Sequence, residues 1–470
     1  MPHSRDRSKM VLAMVGLPAR GKTYTARKIA RYLSWLGHNT RVFNVGSYRR
    51  EHFGASQPHD FFDPSNAQGR AALFDMAVRA LNDMTEWLAN GGEVAIYDAT
   101  NSTRRRRQLV TEACTTHNIP LIFVESICDD PSVIEATIRE TKSHSPDYTG
   151  MDPEKAAADF RARIAHYESA YETIENPSAN WIKIVDVGRQ VVLNRIHGHL
   201  PARLAPLLIN MHIGRRPIFL TRHGESLSNL RGAIGGDSEL TLRGETYARA
   251  LADFMRSRAA SGEIEVARPP APPSSRPGAA VAGAGGGGSN NGIPAERPSR
   301  RSAPPMSLPP QSDSPIAVWT STLRRTIQTS SWLTANPMKL RALDEIDAGL
   351  CDGMTYAEIK ERMPAEYDAR KADKFIYRYP RGESYEDVIQ RLDPVIIELE
   401  RQRAPVLVIA HQAILRAIYG YFMDKPPEEI PYLEIPLHTV IQLTPTAYGC
   451  EEKRFPLLTI TESDLTASSS

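Results

Sequence analysis

The chain has 470 residues, 41% of them apolar and 24% charged, which allows two or three domains with packed cores and excludes wholesale disorder. Lys plus Arg number 57 against 55 for Asp plus Glu, a net charge of +2, so a strongly cationic nucleic-acid binder is excluded while local anion sites are not. The four cysteines, Cys114, Cys128, Cys351 and Cys450, lack Cys-x-x-Cys spacing, and no run nears the roughly 18 apolar residues of a membrane span; reduced thiols in a cytosolic protein without membrane attachment are expected.

In chain order, Met10–Val15 reads as a strand, followed by a Gly-rich turn and a helix over 22–36. Strands follow at 41–45, 94–97, 121–126 and 182–187, alternating with helices over 67–88, 103–117, 131–142 and 153–174. This alternation, with no hairpin signal, predicts right-handed βαβ units and a parallel sheet. A second α/β series begins at Pro217. Its strands fall at 218–221, 316–320 and 406–410, and its helices at 242–256, 323–335, 383–402 and 412–422. Between them, 266–315 holds 12 Pro and 7 Gly in 50 residues, and no aromatic residue occurs between Met255 and Val318. Such a segment is expected to be a disordered insertion, about 262–315, within the second domain. The expected division is a polar tail over 1–9, domains over 10–210 and 211–450 with a junction near 203–216, and a C-terminal tail over 451–470.

Gly16-Leu17-Pro18-Ala19-Arg20-Gly21-Lys22-Thr23 has the spacing G-x-x-x-x-G-K-[ST], between a strand and a helix. Its glycines allow a tight turn whose amides converge on phosphates at a helix N-terminus; Lys22 reaches the terminal phosphates and Thr23 places a hydroxyl on Mg²⁺. Asp98, ending an apolar strand, suits a second Mg²⁺-organising carboxylate and is the catalytic candidate for meeting either the attacking hydroxyl or Mg²⁺. Arg104 to Arg107 crowd a helix start, where the dipole disfavours cations, so an anionic ligand is expected for one or two of them and solvent for the rest.

In the second series, Arg222-His223-Gly224-Glu225 follows directly on a strand. A neutral histidine there can attack phosphorus and form a phosphohistidine. Arg325 and His411 stand at other strand ends and Glu345 in a loop, candidates for holding the phosphoryl group and protonating the leaving alcohol.

These motifs, with Tyr97-Asp98-Ala99-Thr100-Asn101, Ser145-Pro146-Asp147-Tyr148, Arg325-Thr326-Ile327-Gln328-Thr329 and Gly382-Glu383-Ser384-Tyr385, resemble the bifunctional 6-phosphofructo-2-kinase/fructose-2,6-bisphosphatase family from about Lys9 to Tyr448. The resemblance implies a P-loop kinase domain followed by a histidine-phosphatase, phosphoglycerate-mutase-like domain. It implies ATP with Mg²⁺, fructose 6-phosphate and fructose 2,6-bisphosphate as partners, no metal for hydrolysis, and a homodimer. Arg49, Thr100, Arg106, Lys142, Arg163 and Tyr167 match the family's sugar-phosphate site, and Cys128 a cysteine of its kinase site. His223 would be the nucleophile and Glu345 the proton donor, with Arg222, Arg325 and His411 on the phosphoryl group. Asn229, Gly235, Tyr356, Arg370, Lys374, Tyr385, Gln412 and Arg416 match the remaining bisphosphate positions. Leu73 stands where the family has an arginine, with Arg70 one helical turn earlier. Ser299 and Ser302, behind arginines in the insertion, are candidate sites for a basic-directed regulatory protein kinase, with Ser8 a weaker one.

Overall fold

A computed structural model describes residues 9–144, 146–212, 214–262, 316–446 and 449–458, with only the backbone of 140–144. The proposed insertion, Ser8, Ser299 and Ser302 and the side chain of Lys142 lie outside the described residues.

The first sheet runs β2-β3-β1-β4-β5-β6, from β1 (Met10–Val15), β2 (Thr40–Asn44), β3 (Val94–Asp98), β4 (Leu121–Ile127), β5 (Trp181–Val185) and β6 (Gln190–Asn194). All pairs are parallel except β5 with β6. Its helices are α1 (Lys22–Trp35), α2 (Val45–Phe53), α3 (Ala67–Ala89), α4 (Arg104–Thr116), α5 (Pro131–His144), α6 (Pro153–Glu168) and α7 (His199–Asn210). Every residue of β1 is buried, which is why this strand reads as one apolar run rather than an alternation.

The second sheet runs β12-β11-β7-β10-β8-β9, from β7 (Ile218–Arg222), β8 (Ala317–Thr320), β9 (Met338–Lys339), β10 (Val406–Ala410), β11 (Thr439–Pro445) and β12 (Cys450–Pro456). Around it lie α8 (Leu227–Arg231), α9 (Leu242–Ala260), α10 (Arg324–Ser330), α11 (Tyr356–Arg362), α12 (Pro364–Ala372), α13 (Tyr385–Arg401) and α14 (Gln412–Phe422). β7 pairs in parallel with β10 and antiparallel with β11.

Three features depart from the sequence reading. First, both sheets end in antiparallel edge strands. The strand expected through Val187 stops at Val185 because Asp186 and Val187 turn through positive φ, 47° and 56°, and β6 returns alongside. β12 likewise occupies Cys450–Pro456, so the second domain runs past the expected boundary at 450. Second, the helix expected over 153–174 ends at Glu168. The fully buried carboxylate of Glu125 accepts from the Tyr171 hydroxyl at 2.6 Å, the Thr173 hydroxyl at 2.8 Å and the Ile174 amide at 3.2 Å, which draws 171–174 out of the helix. Third, the junction expected at 203–216 begins inside α7. Leu204, Leu207 and Leu208 of that helix are fully buried in a core shared by both domains.

The domains also meet through α1. Its Trp35 indole donates to the Ala417 carbonyl of α14 at 2.9 Å, and its Tyr32 hydroxyl donates to Asp393 of α13 at 2.6 Å. Lys28 pairs with the fully buried Glu400 of α13 at 2.6 Å.

Candidate active sites

The P-loop closes over the carboxyl end of β1, beside β3 and β4, where an open α/β sheet leaves its crevice. Gly16 sits at φ 136°, and a β-carbon there would fall 2.4 Å from the Ser126 carbonyl oxygen, so no side chain fits. Gly21 caps α1 in a left-handed conformation with no side-chain cap, a helix start of the kind that suits an anion. Thr23 donates its hydroxyl to Asp98 Oδ2 at 2.9 Å, and Asn44 donates to the same oxygen at 2.5 Å. Burial pushes the Asp98 carboxyl up against the pull of Lys22, and burial takes Lys22 down to about 8. A desolvated carboxylate beside a threonine hydroxyl is a donor set that fits a divalent cation.

These groups floor a cavity of about 1010 Å³ that also holds Pro18, Ala19, Thr100, Arg106 and Tyr167. Across it, Asp147 bonds Arg49 Nη2 at 2.6 Å and Arg163 Nη1 at 3.2 Å, with Arg50 4.0 Å away. Burial alone would raise the Asp147 carboxyl, but Arg49, Arg163 and Arg50 hold it below its ordinary range. One carboxylate cannot neutralise three guanidiniums. Arg49 Nε and Nη1 and Arg163 Nε are buried with no hydrogen-bond partner, as expected where an anionic ligand completes the set. Phe62 packs 3.7 Å under the Arg163 guanidinium. Nothing in the spacing of the sequence pointed to Phe62.

Of the arginines at the start of α4, Arg105 and Arg106 line the cavity while Arg104 pairs at the surface with Glu172 and Glu175. Arg107 was expected in solvent or on the ligand; instead it is buried and donates to the Asn101 and Glu172 carbonyls. Arg70 and Leu73 line the same cavity. Cys128 stands apart from it, buried behind the P-loop beside Arg20 and Ser126, its thiol pushed up by burial. That setting keeps the thiol protonated and unreactive.

In the second domain, β7 and β10 end side by side and deliver His223 and His411, with ring centroids 5.1 Å apart. His223 Nδ1 lies 2.7 Å from the Gly224 carbonyl, and Arg325 donates from Nε to His223 Nε2 at 3.0 Å. The proton is therefore on Nδ1, and Nε2 carries the lone pair. Burial, then Arg325 and Arg222, hold the His223 pKa well below the ordinary 6.5, so the ring is neutral at physiological pH. His411 is fully buried. Its Nε2 lies 2.8 Å from the Ser321 hydroxyl, and its Nδ1 has no hydrogen-bond partner.

A cavity of about 540 Å³ opens at His223, lined also by Arg222, Asn229, Gly235, Arg325, Glu345, Tyr356, Arg370, Lys374, Tyr385, Gln412 and Arg416. Gly235 sits at φ 69°, and a β-carbon there would fall 1.7 Å from Asp352 Oδ1, so a side chain would have to push the Asp352 carboxylate aside. Arg391 steadies the Glu345 loop by donating to the Asp344 and Glu345 carbonyls at 2.7 and 3.2 Å while pairing with Glu383 at 2.7 Å. Arg370 donates to the Tyr356 and Tyr379 hydroxyls at 2.7 and 2.9 Å. Tyr379 and Ser321, which position Arg370 and His411, belong to none of the motifs read from the sequence.

Fold and sites together define a two-domain protein: a P-loop kinase domain followed by a histidine-phosphatase domain. A family model described as 6-phosphofructo-2-kinase matches residues 2–215, and that of the histidine phosphatase superfamily (branch 1) matches 218–263 and 310–456. The chain belongs to the bifunctional 6-phosphofructo-2-kinase/fructose-2,6-bisphosphatase family. It is 46% identical over 455 residues to the Arabidopsis thaliana 6-phosphofructo-2-kinase/fructose-2,6-bisphosphatase, covering 96% of this chain but 54% of that one, so it spans about half the length of that relative. To the Gallus gallus enzyme of the same name it is 44% identical over 445 residues, covering 94% and 83%. Among solved structures, the α-ribazole phosphatase from Shigella flexneri aligns with 52% of this chain and 99% of its own, at 16% identity and a TM-score of 0.37. Among the described residues no helix is long and apolar enough to cross a membrane.

Proposed function

We propose that this chain both makes and breaks fructose 2,6-bisphosphate, in the cytosol, using separate sites for the two reactions. The observation that carries the kinase half is the pairing, within one cavity, of a P-loop with a cluster of three arginines around the buried Asp147. Fructose 6-phosphate would place its phosphate on Arg49 and Arg163 and its C2 hydroxyl toward the γ-phosphate of ATP. The hydroxyl oxygen attacks phosphorus in line as its proton passes to the Asp98 carboxylate, the bond to the bridging oxygen of ADP breaks, and Lys22 stabilises the developing charge. Thr23 and Asp98 would hold Mg²⁺, which neutralises the β- and γ-oxygens when bound.

In the phosphatase half, His223 Nε2 attacks the C2 phosphorus while Arg222, Arg325 and His411 hold its oxygens. The bond from phosphorus to the C2 oxygen breaks as Glu345 gives that oxygen a proton. Water then attacks the phosphohistidine, Glu345 takes back a proton, and the N–P electron pair returns to Nε2. No step in this sequence requires a metal.

Purified wild type given MgATP and fructose 6-phosphate should form the acid-labile bisphosphate, and should release fructose 6-phosphate from added bisphosphate. Lys22→Ala should cut synthesis by about 10²–10³-fold and leave hydrolysis intact. Loss of both activities in that variant would mean that Lys22 acts on the fold, and an unaltered synthesis rate would remove the P-loop from the reaction.

Lys374 gives hydrolysis a pH signature. Burial, then Arg416 and Arg370, take its pKa down to about 7, so its positive charge fades as pH rises through neutrality. The KM for the bisphosphate should therefore climb between about pH 6 and pH 8 with kcat little changed. Lys374→Arg, which keeps its charge, should flatten the climb; a KM equally steep in that variant would assign the effect elsewhere.

The family resemblance also supports a homodimer, which sedimentation of the purified chain would test. It leaves Ser299 and Ser302 as candidate targets of a regulatory protein kinase, readable by mass spectrometry of protein from its native cell.

A further inference from the structure

At the edge of the kinase cavity, which His166 also lines, a 3₁₀ turn (His59–Phe62) and α6 bring two imidazoles and a carboxylate together. His59 Nδ1 lies 3.3 Å from His166 Nε2 and 3.1 Å from Asp60 Oδ1, and all three ligand atoms fall within 4.8 Å of one another. Ligands about 2.0–2.1 Å from a tetrahedral zinc ion stand roughly 3.3 Å apart, so the two shorter separations already match those around a bound ion.

We propose that His59 Nδ1, His166 Nε2 and Asp60 Oδ1 form a binding site for a divalent transition-metal ion of the zinc class. Two imidazoles with one carboxylate select zinc, nickel or copper over magnesium, which prefers oxygen ligands throughout. The site is therefore chemically distinct from the Thr23–Asp98 pair. An outer-shell carboxylate is nearby. Asp63 Oδ2 stands 3.8 Å from His166 Nδ1, beyond hydrogen-bond distance, and a small approach on metal binding would place a proton on Nδ1 and leave Nε2 to ligate. The His59 amide donates to Asp159 Oδ1 of α6 at 3.1 Å, and the Tyr148 hydroxyl donates to Asp159 Oδ2 at 3.0 Å, so α6 positions the turn before any ion arrives. His59 and Asp60 keep 40% and 77% of their side-chain surface exposed, which leaves the fourth position open to water.

The site would act as a staple. Phe62 ends the same turn and packs under Arg163, one helical turn before His166, so an ion here ties the turn to α6 where both line the kinase cavity.

The test uses the untagged full chain, stripped with chelator and titrated with Zn²⁺ by calorimetry in excess Mg²⁺. One equivalent should bind in wild type, and that equivalent should be lost in His59→Ala and in His166→Ala. Asp63→Asn should weaken it about tenfold. Co²⁺ in place of Zn²⁺ should show the absorption of a tetrahedral ion, absent in both histidine variants. Uptake unchanged in both variants, or no saturable uptake in wild type, overturns the site. Anomalous scattering from a Zn²⁺-soaked wild-type crystal guards against misfolded variants: a peak between the three ligand atoms supports the site, and its absence overturns it.

Discussion

Replacing His223 with alanine should lower bisphosphate hydrolysis by about 10⁴-fold or more while synthesis continues at the wild-type rate. The effect is large because His223 is the atom that bonds to phosphorus, and no other side chain in the cavity shares its preparation. Its Nδ1 proton is committed to the Gly224 carbonyl and its Nε2 lone pair is approached by Arg325. His411, 5.1 Å away, is tied by Nε2 to Ser321 and does not replace it. Wild type denatured during turnover with bisphosphate labelled in its C2 phosphate should carry acid-labile, base-stable phosphate on His223. Hydrolysis surviving in the variant would mean direct attack by water, and label on another residue would reassign the nucleophile. The depressed pKa adds a pH expectation. Because burial and the two arginines disfavour the imidazolium, kcat should hold down to about pH 6, where a histidine of ordinary pKa is mostly protonated. A kcat that halves near pH 6.5 would contradict that electrostatic account.

What the sequence made legible here was chemistry carried by contiguous residues at the junction of a strand and the next element. The P-loop and the Arg222-His223 pair both have this form, because strand, turn and helix place such residues by local geometry alone. What it left hidden was chemistry assembled from separate elements. Asp147 stands in the sequence only as part of the Ser145-Pro146-Asp147-Tyr148 motif with no role attached, yet in the fold it gathers Arg49 from α2 and Arg163 from α6. Arg107 reads as one of four helix-start cations, yet it is buried on backbone carbonyls. Glu125 sits within a mainly apolar strand, and its capture of 171–174 decides where α6 stops. In each case one buried charge outweighs the local helical or solvent-exposed preference, because leaving it unpaired costs more than bending the chain toward it. The antiparallel edges were hidden for a different reason. Asp186-Val187 carries a β-branched residue at positive φ, which turn statistics disfavour.

Substitution of Glu400 should be the most damaging single change to stability at the domain interface. This carboxylate is fully buried among Lys28 at 2.6 Å, Arg31 at 3.4 Å and Arg216 at 3.5 Å, and it accepts from the Tyr421 hydroxyl at 2.9 Å. Burial would raise its pKa, but the three cations hold it well below the carboxylate range. The cluster has more positive charge than one carboxylate can offset, which is consistent with Lys28 being taken down by burial to about 8. Glu400→Ala therefore leaves Lys28, Arg31 and Arg216 without their shared counter-charge, the two arginines keeping their backbone carbonyls, and should cost about 3–5 kcal/mol. Lys28→Met removes only the surplus charge and should cost less than about 1.5 kcal/mol. Denaturant unfolding of both variants would measure the difference, and equal losses would show that the pairs act singly rather than as a cluster around one carboxylate. The pH dependence has a definite sign. A carboxyl with a depressed folded pKa stabilises above its unfolded value of about 4.3 and loses that contribution as pH falls toward the folded value, so wild type should weaken below about pH 4.3 by more than the Glu400 variants do. The consequence reaches both sites, because α1 begins with Lys22 and Thr23 while α13 begins with Tyr385, which lines the phosphatase cavity. On heating, Glu400→Ala should lose synthesis and hydrolysis together and at a lower temperature than wild type. Hydrolysis outlasting synthesis in that variant would show that the second domain stands without the contact from α1.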